Sequence, residues 1–195
     1  MAELNDYSGR FKPDLKFEDF SKEALIKLLL EYQKILTRLD GYWMGLVADK
    51  YGYQEACAFE GAVWRFMVGY DANRISKAMN IQGNNVETFL KYQQLTAGLP
   101  KEVASAGAQA ACRIEMKNPN HGVMTIDDCR ALAYWEKEGR EDWINAFCRK
   151  EEPAIVEAYA RHVNPAIKMT ALKLPPREKK EDISCQWEFK LEDGA

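Results

Sequence analysis

The chain has 195 residues, enough for one compact domain that buries roughly 70% of its unfolded surface. It is 47% hydrophobic, 29% charged and 11% aromatic, the balance of a globular protein rather than a disordered or fibrous one. Lys and Arg number 27 against 30 Asp and Glu, a net charge of −3 with no basic stripe, which argues against nucleic acid as a partner. Charged residues interrupt the longest apolar segment, Leu25 to Leu39, which excludes a membrane span there. Met1 to Phe20 lacks the apolar core of a signal peptide. Five cysteines without framework spacing then point to reduced thiols and a cytoplasmic protein.

In chain order, residues 1–20 read as an extended arm, 21–100 as a helical layer and 101–195 as a sheet-bearing half of the same domain. Ser21 is an N-cap, with Glu23 in the first turn at the positive end of the helix dipole. From residue 22 to about 50, Leu25, Leu29, Tyr32, Leu36, Leu39, Trp43 and Leu46 recur at spacings of four and three. Such a heptad-like seam demands a helical partner over a helix ~43 Å long. Gly52 ends the helix, and Gln54 to Met79 is the expected partner through Phe59, Val63, Phe66, Met67, Tyr70 and Ala78. A third helix starts at Asn84, with Glu87 as the reciprocal half of a capping box. Gly98-Leu99-Pro100 closes the helical half.

From there the period changes to two. Gln109 to Lys117 alternates with Ala110, Cys112, Ile114 and Met116 on the buried face. Asn118 to Gly122 is a turn, and Val123 to Ile126 returns as a second strand. Asp127 or Asp128 caps a helix through Cys129, Leu132 and Trp135 that stops at Gly139, while Glu141 to Arg149 fits helix or strand. Pro153 opens a helix, Ala154 to His162, ended by Asn164-Pro165. Ile167 to Leu174 is a third strand, and Ile183 to Leu191 a fourth with Ile183, Cys185, Trp187, Phe189 and Leu191 on one face. Helices first and strands later make an α+β fold: a long N-terminal helical hairpin and a third helix packed on a C-terminal antiparallel sheet of about four strands with two short helices.

Four of the five cysteines, Cys112, Cys129, Cys148 and Cys185, fall in the last 84 residues. No two are close enough in sequence to be paired by local backbone, so any site is assembled by the fold. Thiolates suit zinc, copper or iron, and free cysteine is equally at home as a small buried apolar group. Cys57 has no obvious partner and reads as structural. A thiol at a helix start, as at Cys129, also has its nucleophilicity raised by the dipole. Its base would come from His121 or His162, and for a hydrolase the base or carboxylate beside the thiol or metal would come from Asp40, His121 or Glu115. His121 and His162 are also ordinary turn and helix-end residues, and Asp71 with Arg74 reads as a surface pair. Gly41, beside Asp40 in a strong helix, allows close approach, either by a ligand or by Trp64 in helix packing. Tyr42, Trp43, Trp64 and Phe66 line a pocket between helices and sheet or belong to the core.

Asp40 to Trp43, Ile81 to Asn84, Asn118 to Gly122, Pro175-Pro176-Arg177 and Cys185 to Phe189 together resemble a family of small bacterial cytosolic proteins of unknown function, over about residues 8–191. More distantly the second half is similar to L-2-amino-thiazoline-4-carboxylic acid hydrolase-like proteins and to the 4-vinyl reductase domain, a small-molecule-binding module that in some sensors holds a cysteine-ligated zinc. That resemblance implies Cys129, Cys148 and Cys185 at a ligand or metal site.

The expectation is a dimeric protein binding a small organic molecule or a thiolate-preferring metal such as zinc. Asp40, Trp43, Cys112 and Trp187 are expected at the ligand, and Cys129, Cys148 and Cys185 at the metal. A hydrolase opening a cyclic or amide C–N bond and a purely structural helical dimeriser are the alternatives.

Overall fold

The computed structural model describes residues 3–96 and 110–192. The expected boundary at Gly98-Leu99-Pro100 lies outside the described residues, as does Gln109. Helices and a four-stranded antiparallel sheet form the expected α+β fold.

The arm is tied to the first helix by a parallel bridge between Leu4 and Phe20, by a short 3₁₀ turn, Phe17–Asp19, and by the Tyr7 ring edge-on to Phe20 at 6.1 Å. Helix α1 spans Lys22–Tyr51, capped by the Ser21 hydroxyl, which accepts from the Ala24 N–H. It ends at Gly52, whose φ of +89° lies in the region a side chain disfavours, and α2, Tyr53–Ala78, begins at the next residue. The one-residue link makes α1 and α2 an antiparallel hairpin, as the periodicity predicts. Helix α3, Val86–Thr96, follows. Its cap is Asn85 rather than Asn84: the Asn85 side chain accepts from the Thr88 N–H at 3.0 Å. The Glu87 N–H is taken by the Pro119 carbonyl, which ties α3 to the hairpin turn of the sheet.

Strands β1, Ala110–Asn118, and β2, His121–Cys129, form the expected hairpin, with a register shift between Ala111 and Cys112. Because of that shift Ala110, Ala111 and Cys112 are all buried, and the outer half of β1 opens to solvent, so Met116 is exposed. Strand β2 runs three residues beyond the expected end, so Cys129 itself caps α4, Arg130–Lys137, in place of Asp127 or Asp128. The ambiguous segment is α5, Glu141–Ala146, followed by a π turn, Phe147–Glu151, that leads without a break into α6, Glu152–Val163. Strands β3, Lys168–Lys173, and β4, Cys185–Lys190, complete a sheet in the order β1-β2-β4-β3. Among the described residues no helix is long and apolar enough to cross a membrane.

The main core lies between the inner face of the sheet and α2, α3 and α6. Trp187 and Phe189 of β4 are essentially inaccessible, and Phe189 meets Phe89 of α3 with ring centres 4.7 Å apart. A second cluster joins Met44, Ala56 and Cys57 of the helical hairpin to Leu132, Trp135, Trp143 and Ile144 of α4 and α5.

The seam of α1 is not buried against α2. Leu29, Tyr32, Leu36, Leu39 and Leu46 are each more than half exposed, and Phe66, an expected partner on α2, is 88% exposed. The two helices meet through Met44, Ala56 and the Asp40–Glu60 pair instead. Small and polar residues at that line let α2 pack closely, while the Leu-rich stripe of α1 lies to one side of it.

Replacing Phe89 with Ala should cost about 3–5 kcal/mol, because the ring is fully enclosed and the space cannot collapse onto rigid β4. Urea unfolding monitored by circular dichroism checks this.

A cavity floored by carboxyls and thiols

Between the two cores is a cavity of about 740 Å³, within the range of small-molecule sites. Its walls come from α1, α2, α4, the π turn, α6 and the inner face of β2 and β4. Trp64, Trp135, Trp143 and Trp187 line it, four of the five tryptophans of the chain.

The helical hairpin supplies a carboxyl pair. Glu60 is 3% exposed; its Oε1 accepts from Trp64 Nε1 at 2.5 Å, while Oε2 has no standard donor. Asp40 of α1 faces it from across the helix interface. Two carboxylates within hydrogen-bonding reach of each other, with no ion pair to either among the described residues, repel each other. A proton shared between them is the partner that Oε2 otherwise lacks. Burial and the Asp40 charge push Glu60 up to about 8, and burial raises Asp40 as well.

The opposite wall supplies Glu152, the first residue of α6. The π turn before it inserts an extra residue into the helical path, a local device common where a side chain must be re-aimed. Glu152 is half-buried as a residue and lines the cavity. Among the described residues no hydrogen bond or ion pair satisfies it, and desolvation pushes it up to about 7.

The same π turn carries Cys148, and Cys129 and Cys185 stand around Glu152 within electrostatic reach of one another and of Cys148. Cys129 and Cys185 line the cavity. Burial raises all three thiols above the usual range, so they are protonated at neutral pH. At Cys129 the Leu132 and Ala131 amides of the α4 start oppose that rise without cancelling it, so the dipole does not make a thiolate here. Trp187 Nε1 donates to Cys185 Sγ at 3.2 Å. Among the described residues no three His, Cys, Asp or Glu side chains converge as ligands of one ion.

Of the residues expected at a ligand, Asp40 and Trp187 line the cavity. Trp43 is 41% exposed on the outer side of α1, and Cys112 is packed in the main core, in a row with Ile126 and Cys185 across the sheet. Neither is in the lining. Cys57 is inaccessible beside α4 and α5, with its thiol pushed up to about 12. The histidines lie elsewhere: His121 Nε2 is 2.8 Å from Glu188 Oε1 at the far end of the sheet, and His162 Nε2 is 3.2 Å from Asn73 Oδ1. Glu115 is exposed beside Arg113. Asp71 is no surface partner of Arg74. It lines the cavity and accepts from the Tyr159 hydroxyl at 2.7 Å, while Arg74 lies over the Tyr70 ring.

Sequence reasoning missed Glu60 and Glu152, both of which look like helix-surface acids. Glu60 shares a stripe with Ala56, Cys57, Gly61 and Trp64, and that company was the available signal. Gly61 gives close approach there: a Cβ would displace the Glu151 carboxylate from its pairing with Arg65 where α2 crosses the π turn.

Cations stay at the rim. Arg38 lies over the Tyr42 ring at 5.5 Å and Arg140 over Trp143 at 5.1 Å, and Arg130 is exposed. The interior is thus acidic and aromatic, and the positive charge sits outside it.

The α+β fold thus holds a partly open cavity whose lining is acidic and aromatic. The chain belongs to a family of unknown function, DUF6125, whose model matches residues 18–191. Neither a curated protein nor a solved structure gives a significant match.

The raised acids set a sign for stability. Glu60 binds its proton more tightly folded than unfolded, so its contribution is complete below about 4.5 and is lost as pH rises through about 8. Stability should therefore fall across that window, and Glu60→Gln should flatten the fall; urea midpoints at pH 5, 6.5 and 8.5 check this. Protonated thiols predict alkylation of Cys129, Cys148 and Cys185 by iodoacetamide at pH 7.5 at least tenfold slower than in the urea-unfolded chain, read by peptide mass spectrometry.

Proposed function

We propose that the chain binds a small organic molecule in this cavity, and that the ligand carries a basic nitrogen attached to a flat, partly apolar ring. The observation that carries the reading is Glu152: a desolvated carboxyl lining the cavity, with no partner among the described residues. Leaving such a group unsatisfied is costly, and a ligand cation or N–H donor removes the cost. The Asp40–Glu60 pair offers a second acceptor on the opposite wall, and the tryptophan faces suit a planar cation. The rim arginines would meet any anionic group that the ligand leaves toward solvent. Five unpaired cysteines support a cytoplasmic setting.

Hydrolysis of a cyclic or amide C–N bond is a second reading, favoured by the pKa of Glu152 near neutrality, where one carboxyl can take and return a proton. The neutral thiols make Glu152, rather than a cysteine, the group on which that reading turns. The distant resemblance read from the sequence alone, to the thiazoline-carboxylate hydrolase-like proteins and the 4-vinyl reductase domain, would fit both readings. A thiolate-preferring metal at Cys129, Cys148 and Cys185 is the competing occupant. Metal content of protein purified anaerobically without chelator decides it, and near-stoichiometric zinc would displace the organic-ligand reading.

Benzamidine and benzoate, a flat cation and an anion of the same shape, test the ligand class. Tryptophan fluorescence should report benzamidine, since most of the indoles line the cavity. Affinity should rise as pH increases through about 7 and Glu152 loses its proton. Glu152→Gln should weaken binding tenfold or more and remove the pH dependence. Equal binding of benzoate, or benzamidine binding unchanged in the variant, would overturn the proposal.

A further inference from the structure

The helical hairpin has two faces. On α1, Lys34, Thr37, Gly41 and Ala48 turn toward the cavity, Asp40 marks the line to α2, and the heptad seam stands on the other side of that line. On α2, Gly61, Val68 and Ala72 are buried toward the core, and Phe59, Val63, Phe66 and Tyr70 stand opposite them. Because the two helices run antiparallel, both apolar rows lie on one outer face, away from the cavity.

That face is large and open. The α1 row, Leu29, Tyr32, Leu36, Leu39, Trp43 and Leu46, is 41 to 70% exposed, and the α2 row is 46 to 88% exposed. Ten such side chains, each offering about half of a 150–200 Å² surface, present on the order of 1,000 Å². A standard interface takes about 800 Å² from each partner, and the largest patch on a monomer is about 300–600 Å².

We infer that this face is the interface of a homodimer, in which two helical hairpins pack as a four-helix bundle. The spacing argues for helices as the occupant. In α1, Leu29, Leu36 and Trp43 recur every seven residues, and Tyr32, Leu39 and Leu46 every seven between them, the repeat that keeps one seam against a helical partner. A second copy supplies that partner, because the seam is complementary to itself. Laid antiparallel on its own copy, it pairs Leu29 with Leu46, Tyr32 with Trp43 and Leu36 with Leu39, three pairings that the two-fold axis repeats to make six layers. The area is that of a stable dimer, and the closed symmetry covers it on both copies.

Sedimentation equilibrium of the full chain between 1 and 100 µM is the test. The expected mass is twice 22.4 kDa. Leu36→Glu with Leu39→Glu, and separately Phe66→Glu, should return 22.4 kDa with unchanged far-ultraviolet circular dichroism, since each site is exposed in the monomer. Hydrogen exchange of the wild type at the two concentrations needs no variant, and extra protection at 100 µM should be confined to residues 28–46 and 59–70. A wild type that stays monomeric, charge variants that stay dimeric and folded, or protection gained elsewhere would each overturn the inference. So would a monomer that floats with phosphatidylglycerol–phosphatidylcholine vesicles, which would assign the face to a lipid surface. The interface is on the opposite side of the hairpin from the cavity, so benzamidine binding in the monomeric variants keeps the two proposals separable.

Discussion

A carboxyl taken out of water must find a proton, a cation or a donor, and this fold places three carboxyls where those are scarce. Asp40 and Glu60 face each other across the α1–α2 line, and Glu152 looks at the same space from the start of α6. The arginines that could neutralise them are held at the rim by ring stacking. Much of the surrounding construction follows from that constraint. Trp64 spends its indole N–H on Glu60, and Glu151, next to Glu152, turns away to Arg65 at 2.8 Å. The two neighbouring acids therefore divide between a part-buried ion pair and a position with no partner among the described residues.

The thiols fit the same electrostatic setting. A cysteine beside an uncompensated carboxyl, in an apolar wall, is most stable as a neutral group, and Cys129, Cys148 and Cys185 are each pushed that way. Cys129 and Cys185 line the cavity, Cys148 lies behind them, and the charge is left to the acids. The sheet fixes two of them firmly: Cys185 is anchored by Trp187 and by the β2–β4 register, and Cys129 by the junction of β2 with α4.

Long periodic elements were legible in the chain. The hairpin α1–α2, the third helix and the alternating strands β1 and β4 announce themselves because 3.6-residue and two-residue periods persist over many positions. Less legible was which face of a periodic element is covered. The Leu-rich stripe of α1 demands a partner, and intramolecular burial by α2 was the economical expectation; the fold spends the small and polar side of α1 on α2 instead. In the candidate site, Gly41 beside it draws attention to Asp40 and strand alternation to Trp187, and both line the cavity. Glu152 was not, since an acid preceding proline at a helix start has an ordinary role at the dipole. The π turn that gives it another role leaves no local mark in composition.

That π turn also places the site under an unusual form of hereditary risk. Between Phe147 and Glu151 the chain carries one residue more than a regular helix needs. Loss of any single codon there would let α5 and α6 fuse into a smooth rod, with better backbone hydrogen bonding than the present path. The same loss would close the bulge and leave the facing of α6, and so of Glu152, as it is, because the bulge alone holds the extra residue. What would change is the bulge itself, which carries Cys148 and the Glu151–Arg65 pair, so the length of this segment is as much a part of the local structure as the residues within it.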